Sequence, residues 1–135
     1  MALAAEEPAA EEVEERLREG TCRVVVVNYA EAVDICHRVH GFSHDRIRGV
    51  FEPLVLAGIV DLVQSTGSHA WKAAEMRGRY YHRKDAPLSM ADCILLAHAV
   101  MDGDEIMTSD PPMAQVARSE GLVVHALPGS TGSRP

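Results

Sequence analysis

Short apolar runs alternate along this chain with longer segments whose apolar residues recur every three or four positions. Ala9 to Arg18 is polar apart from Val13 and Leu17, an i,i+4 pair, and predicts a surface helix ended by Gly20. Cys22 to Val27 is continuous and β-branched, which predicts a strand buried on both faces. Asn28 to His40 reads as a helix with Ala32, Ile35, Cys36 and Val39 on one side, stopped by Gly41. Ser43 caps a second helix that runs to about Ala57, with Pro53 as a point where it bends or shortens. Ile59 to Val63 predicts a strand, and Thr66 to about His82 a long helix on which Trp71 and Ala74 read as a packing anchor. Asp85-Ala86-Pro87 is a break, and Ser89 to Met101 is an apolar helix. Glu105 to Thr108 is a strand, Pro111 to Ser119 a short helix, and Leu122 to Leu127 a last strand.

This alternation predicts an α/β fold with a mainly parallel sheet and helices on both sides. Functional groups in such sheets gather beyond the carboxyl ends of the strands. The chain has 135 residues, enough for one compact domain. The expected organisation is a single domain over residues 1–127 and a flexible Gly/Ser/Pro tail over 128–135. Hydrophobic residues make up 47% and aromatic residues only 4%, so the core is expected to be aliphatic.

Charge narrows the picture further. The net charge is −7, and residues 1–20 hold seven Glu against two Arg. The acidity is therefore largely one N-terminal helix face. No broad basic surface is expected, which argues against nonspecific nucleic-acid binding by the whole domain. Cys22, Cys36 and Cys93 are widely spaced and odd in number, which points to buried thiols in a reducing compartment. The first ten residues lack the basic and apolar regions of a signal peptide, and no stretch nears 18 apolar residues, so the expected location is the cytoplasm. There is no Gly-rich phosphate loop and no G-x-S-x-G, so hydride transfer and serine hydrolysis have no support.

Three acids fall where the fold would gather them, and each has an ordinary capping role. Asn28-Tyr29-Ala30-Glu31 reads as a capping box with Asn28 as N-cap and Glu31 at N3. Ser89-Met90-Ala91-Asp92 repeats that pattern, and the helix dipole favours the acid there. Asp110, before Pro111, suits an N-cap with proline at N1. Their joint arrangement is what raises them above caps. Were all three to converge within ~5 Å, each pair would repel by about 3 kcal/mol at an effective dielectric near 20. The total would rival the stability of a typical domain. Such a cluster persists by taking up protons or by holding a hard cation, for which all-oxygen ligands suit Mg²⁺ or Mn²⁺.

At these residues the chain resembles the PIN-domain family, and specifically the small VapC-type toxins of bacterial and archaeal toxin–antitoxin pairs. Pro87-Leu88-Ser89-Met90-Ala91-Asp92 resembles the family's LSxAD helix start. Thr108-Ser109-Asp110 resembles its T-x-D strand end, and Asn28-Tyr29-Ala30-Glu31 its N-x-x-E. The order and separations agree across roughly residues 2–127. The resemblance implies a three-layer α/β/α fold and Mg²⁺- or Mn²⁺-dependent hydrolysis of RNA phosphodiesters. It implies that Glu31, Asp92 and Asp110 are catalytic, metal-binding acids. It also implies RNA as substrate, a small antitoxin as partner and a homodimer. A non-catalytic PIN-like binding module or a degraded toxin remnant stands as the alternative.

One departure from the family pattern is expected to matter. The family begins with a central strand ending in Asp, and here Met1 to Pro8 resembles the segment just after that strand. The strand and its acid are then absent from the chain, through an internal start codon, gene decay or loss of catalysis. A chain lacking its central strand is expected to fold poorly, because strand edges stay unpaired.

Other groups carry weaker signals. Arg77, Arg79, Arg83 and Lys84, with His82, Tyr80 and Tyr81, form a basic run suited to RNA phosphates and base stacking. The same cations suit the solvated end of a helix. His37, His40 and His44 read as surface histidines, and Asp34 as a solvated acid. Asp102 and Asp104 flank Gly103 in what reads as a turn.

Overall fold

The computed structural model describes residues 8–135. The expectation for Met1 to Pro8 concerns a segment that lies almost wholly outside the described residues. The chain divides into two compact units, Met1–Gln64 and Ser65–Pro135. Among the described residues there are six helices and four short strands, and both strand pairs are parallel. This is the mixed α/β architecture with parallel strands that the hydrophobic pattern predicts.

In the first unit, α1 (Ala10–Glu19) leads to β1 (Cys22–Val25), α2 (Val26–Arg38), α3 (His44–Leu56) and β2 (Val60–Val63). Strand β1 pairs with β2 in the register Cys22 to Val60 and Val25 to Val63. Val13 and Leu17 are the half-buried pair on α1, as their spacing predicts. Ser43 caps α3 by accepting the Arg46 amide at 3.2 Å, and the helix runs on through Pro53 to Leu56.

Two expectations are corrected here. The Cys22–Val27 run is not all strand: the backbone turns helical at Val26, and Val26 and Val27 are 42% and 39% exposed. Nor is the strand buried on both faces, since Arg23 is exposed between half-buried Cys22 and Val24. A β-branched run of six is ambiguous between a buried strand and the first turn of a helix. Among the described residues of this unit, Val25 and Val60 are buried on the strand pair. Cys36 and Ile47 form a small buried cluster between the unit's helices, with Val33, Phe42, Val50 and Phe51 packed around them and Tyr29 meeting Phe51 edge-on at 5.5 Å.

The second unit holds α4 (Gly67–Tyr80), α5 (Met90–Asp102), β3 (Ile106–Thr108), α6 (Pro111–Ser119) and β4 (Val124–Ala126). Strand β3 pairs with β4 from Ile106–Val124 to Thr108–Ala126. Helices α4 and α5 pack closely along a continuous aliphatic core that includes Ala73, Met76, Leu88, Leu96, Ala97 and Ile106. Gly103 ends α5 at φ 75°, the left-handed backbone that favours glycine over any residue with a Cβ. Its amide returns to Ala99 O at 3.0 Å, and the chain turns directly into β3.

Trp71 corrects a further expectation. It is 75% exposed and anchors no core. The buried face of α4 carries Ala73 and Met76, while Gly67, Ala70, Trp71 and Ala74 line a shallow outer depression. Residues 128–135 fold back locally, with Gly129 N donating to Ser133 O and the Arg134 guanidinium to Ala126 O.

Candidate functional site

Asp92 and Asp110 each open a helix of the second unit, and each is held by its own cap. At the start of α5 the Ser89 hydroxyl accepts the Asp92 amide at 3.0 Å, and Asp92 Oδ2 accepts the Ser89 amide at 2.7 Å. This reciprocal box satisfies two amides that have no partner within the helix. The residue before the box is Leu88, which is buried and whose carbonyl accepts the Arg77 guanidinium at 2.5 Å. The LSxAD stretch thus has a plain physical content: a buried anchor, a cap, and an acid at N3.

The T-x-D stretch resolves in the same way. Thr108 is buried at the end of β3, and its Oγ1 accepts the Asp110 amide at 3.0 Å. Asp110 Oδ2 then accepts the Met113 amide at 2.8 Å as the N-cap of α6, with Pro111 behind it at the first helical position. Both carboxylates use Oδ2 for capping, which fixes the direction in which each side chain leaves the backbone.

Glu31 is placed differently. Helix α2 starts at Val26, with Val25 as its N-cap and no side-chain cap bond. Asn28 and Glu31 are therefore inside the helix, and the capping box read from the sequence does not form. Glu31 is exposed on the second turn of α2, in the first unit.

The basic run divides in two. Arg77 donates to Leu88 O and lies over the Tyr81 ring, 4.4 Å from its centroid. Arg79 pairs with Glu120 at 3.0 Å, and the Tyr80 hydroxyl donates to the same carboxylate at 2.5 Å. These two cations brace the protein. Arg83 and Lys84 lie in an exposed turn between His82 and Ala86, closed by bonds of 3.0 Å in each direction. Beside Asp92, Cys93 is fully buried. Burial pushes its thiol above the ordinary value, with Arg77 opposing and Asp92 adding to the rise.

A second group lies at the other end of α5. His98 is buried at 3% exposure, one turn before Asp102. The His69 ring, from the first turn of α4, stacks on the His98 ring with centroids 3.7 Å apart and planes 6° from parallel. His69 Nε2 is 3.9 Å from Asp102 Oδ1, and His98 Nδ1 is 3.7 Å from Asp102 Oδ2. Among the described residues this is the one group of three metal-ligating side chains whose donor atoms all lie within 4.8 Å of one another. The sequence pattern assigns Asp102 to a turn and singles out neither histidine. The signal it does carry is His98-x-x-x-Asp102, two polar residues at i,i+4 in the apolar stretch that follows Asp92 on the helix.

The remaining polar groups are ordinary. His37 and His44 stack at 4.2 Å and His40 lies against Phe42, all exposed, as expected of surface histidines. Asp34 pairs with Arg38 at 3.0 Å on the solvent face of α2. Among the described residues, no helix is long and apolar enough to cross a membrane.

A profile of the PIN domain matches residues 1–119, most of the chain and both helix starts just described. The chain belongs to the PIN domain family. A search of curated proteins finds no match. PIN domains are generally metal-dependent nucleases that act on RNA or DNA, and membership of the family suggests a nuclease-type function. In this PIN domain, Asp92 and Asp110 offer hard carboxylate oxygens on fixed backbone, a donor chemistry that fits a divalent ion. The His69–His98–Asp102 group offers two nitrogens and one carboxylate, a different chemistry.

Proposed function

We propose that this PIN domain is a Mg²⁺- or Mn²⁺-dependent endoribonuclease, the toxin of a VapBC-type pair, working as a homodimer restrained by a small antitoxin. The observation that carries the reading is the pair of cap-held carboxylates, Asp92 and Asp110, at the motif positions of a PIN-family chain. Glu31 is the third metal-binding acid in this reading. Asp92 and Asp110 would hold the ion with little reorganisation, because their caps already restrict the side chains. An ion held by these acids would supply positive charge beside the phosphate and lower the pKa of a coordinated water. Arg83 and Lys84, exposed and near the chain segment that leads to Asp92, are the cations left to meet the RNA backbone; Arg77 and Arg79 are committed within the protein.

The test is cleavage of a mixed RNA pool with Mg²⁺ or Mn²⁺, against chelator. Cleavage that needs the metal and falls at least about a hundredfold in both Asp92→Asn and Asp110→Asn is expected, given typical losses when charge stabilisation is removed. Full activity in either variant rejects the assignment. No cleavage together with no Mg²⁺ or Mn²⁺ affinity by calorimetry would point to a non-catalytic binding module.

A further inference from the structure

We infer that His69, His98 and Asp102 form a second metal site, for a borderline transition ion of the zinc class, which ties the first turn of α4 to the last turn of α5. The carboxylate faces both imidazole edges at 3.7 and 3.9 Å, one oxygen to each. Zinc–nitrogen bonds of about 2.0–2.1 Å place neighbouring tetrahedral ligands roughly 3.3 Å apart, so donors that lie within 4.8 Å of one another close by up to about 1.5 Å on binding. Two nitrogens in three donors favour zinc, copper or nickel over Mg²⁺. Water would fill the fourth position.

The groups behind the imidazoles suit the role. Ser65 Oγ is 3.0 Å from His98 Nε2 and accepts the N–H there when Nδ1 faces an ion. His69 needs one rearrangement. Thr66 N donates to His69 Nδ1 at 3.0 Å, so the proton of the neutral ring sits on Nε2, which is buried without a hydrogen bond. Binding moves that proton to Nδ1, where Thr66 Oγ1 at 2.8 Å accepts it, and the Thr66 amide gives up its acceptor. The exchange costs about one hydrogen bond, small beside the affinity of a three-ligand site. The rings are nearly parallel, so their in-plane lone pairs converge only when one tilts. His69, with 12% side-chain exposure against 4% for His98, is the ring with room to do so.

This site is independent of the nuclease reading, and its test does not use RNA. The metal-stripped full chain is titrated with Co²⁺, and the visible absorption of tetrahedral cobalt is followed, then displaced by Zn²⁺. One tetrahedral Co²⁺ per chain is expected. His69→Gln and Asp102→Asn should each weaken it at least about tenfold, and Ser65→Ala by roughly ten- to a hundredfold, as for outer groups that orient a ligand. His37→Gln, which alters the exposed His37–His44 pair, should leave it unchanged. Circular dichroism confirms that each variant is folded; Asp102 lies at the surface, so its variant stays informative if His69→Gln does not fold. Absence of a tetrahedral spectrum in the parent chain, or an equal one in Asp102→Asn, overturns the site.

Discussion

The two units of this chain bury very different cores. Among the described residues, the buried cluster of the first joins Cys36 and Ile47, while that of the second joins eleven buried residues from Ala73 to Ala117. The contrast extends to the acids. In the second unit Asp92 and Asp110 sit at helix starts beside buried anchors, Leu88 and Thr108, and complete the caps that their sequence patterns announce. In the first unit Glu31 belongs to a helix that begins at a valine, with no side-chain cap. Local patterns in sequence are fulfilled where packing agrees with them, and are overridden where another part of the chain decides.

The sharpest way to break this contrast is to remove core volume from each unit. Leu96→Ala, within the large cluster, should cost toward the upper end of about 2–5 kcal/mol, and Ile47→Ala toward the lower end, because its half-buried neighbours can close in. Urea unfolding followed by circular dichroism measures both, and the reverse order would defeat the comparison. The next largest effect concerns the caps. Asp110→Ala should lose about 0.5–2 kcal/mol, and Asp110→Asn only a few tenths, since Asn caps as well as Asp. Glu31→Ala should stay within about 0.5 kcal/mol, as for an exposed residue outside any cap. A loss at Glu31 equal to that at Asp110→Ala would restore the capping role that the backbone of α2 denies it.

The smallest expected effect lies at alkaline pH. Burial raises the Cys93 thiol above its ordinary value, so the unfolded chain ionises it first. Between the unfolded and folded values the native state binds more protons, and stability falls as pH rises through that window. Cys93→Ala should flatten this alkaline decline relative to the parent chain, measured as the difference in urea midpoint. A parallel decline in both would show that the thiol is not its source.

Much of the fold was legible because period and punctuation agree. Ser43, Ser89 and Asp110 cap the helices their positions predict, and the long helix expected from Thr66 begins there, with Thr66 as its cap. The β1–α2 junction was not legible, because Val26 and Val27 suit a strand or a helix start equally and Asn28 offers a cap three residues later than the one the helix uses. Trp71 misled for a related reason: helical spacing groups residues on one face and does not say which face is covered. The motif acids were readable from local order. The His69–His98–Asp102 group was not, because His69 is 29 positions from its ring partner and only packing of α4 on α5 brings them together.

The exposed Trp71 has a practical consequence. It is the only tryptophan, and its indole already sits in water when the chain is folded. Its emission should lie near that of indole in a peptide and move little on unfolding. A fluorescence melt would therefore look flat for a protein that unfolds cooperatively, and the absence of a transition would say nothing about stability. Any ligand that settles into the shallow depression beside Ala70 and Ala74 would, by the same token, report itself directly through a blue shift against an otherwise silent background.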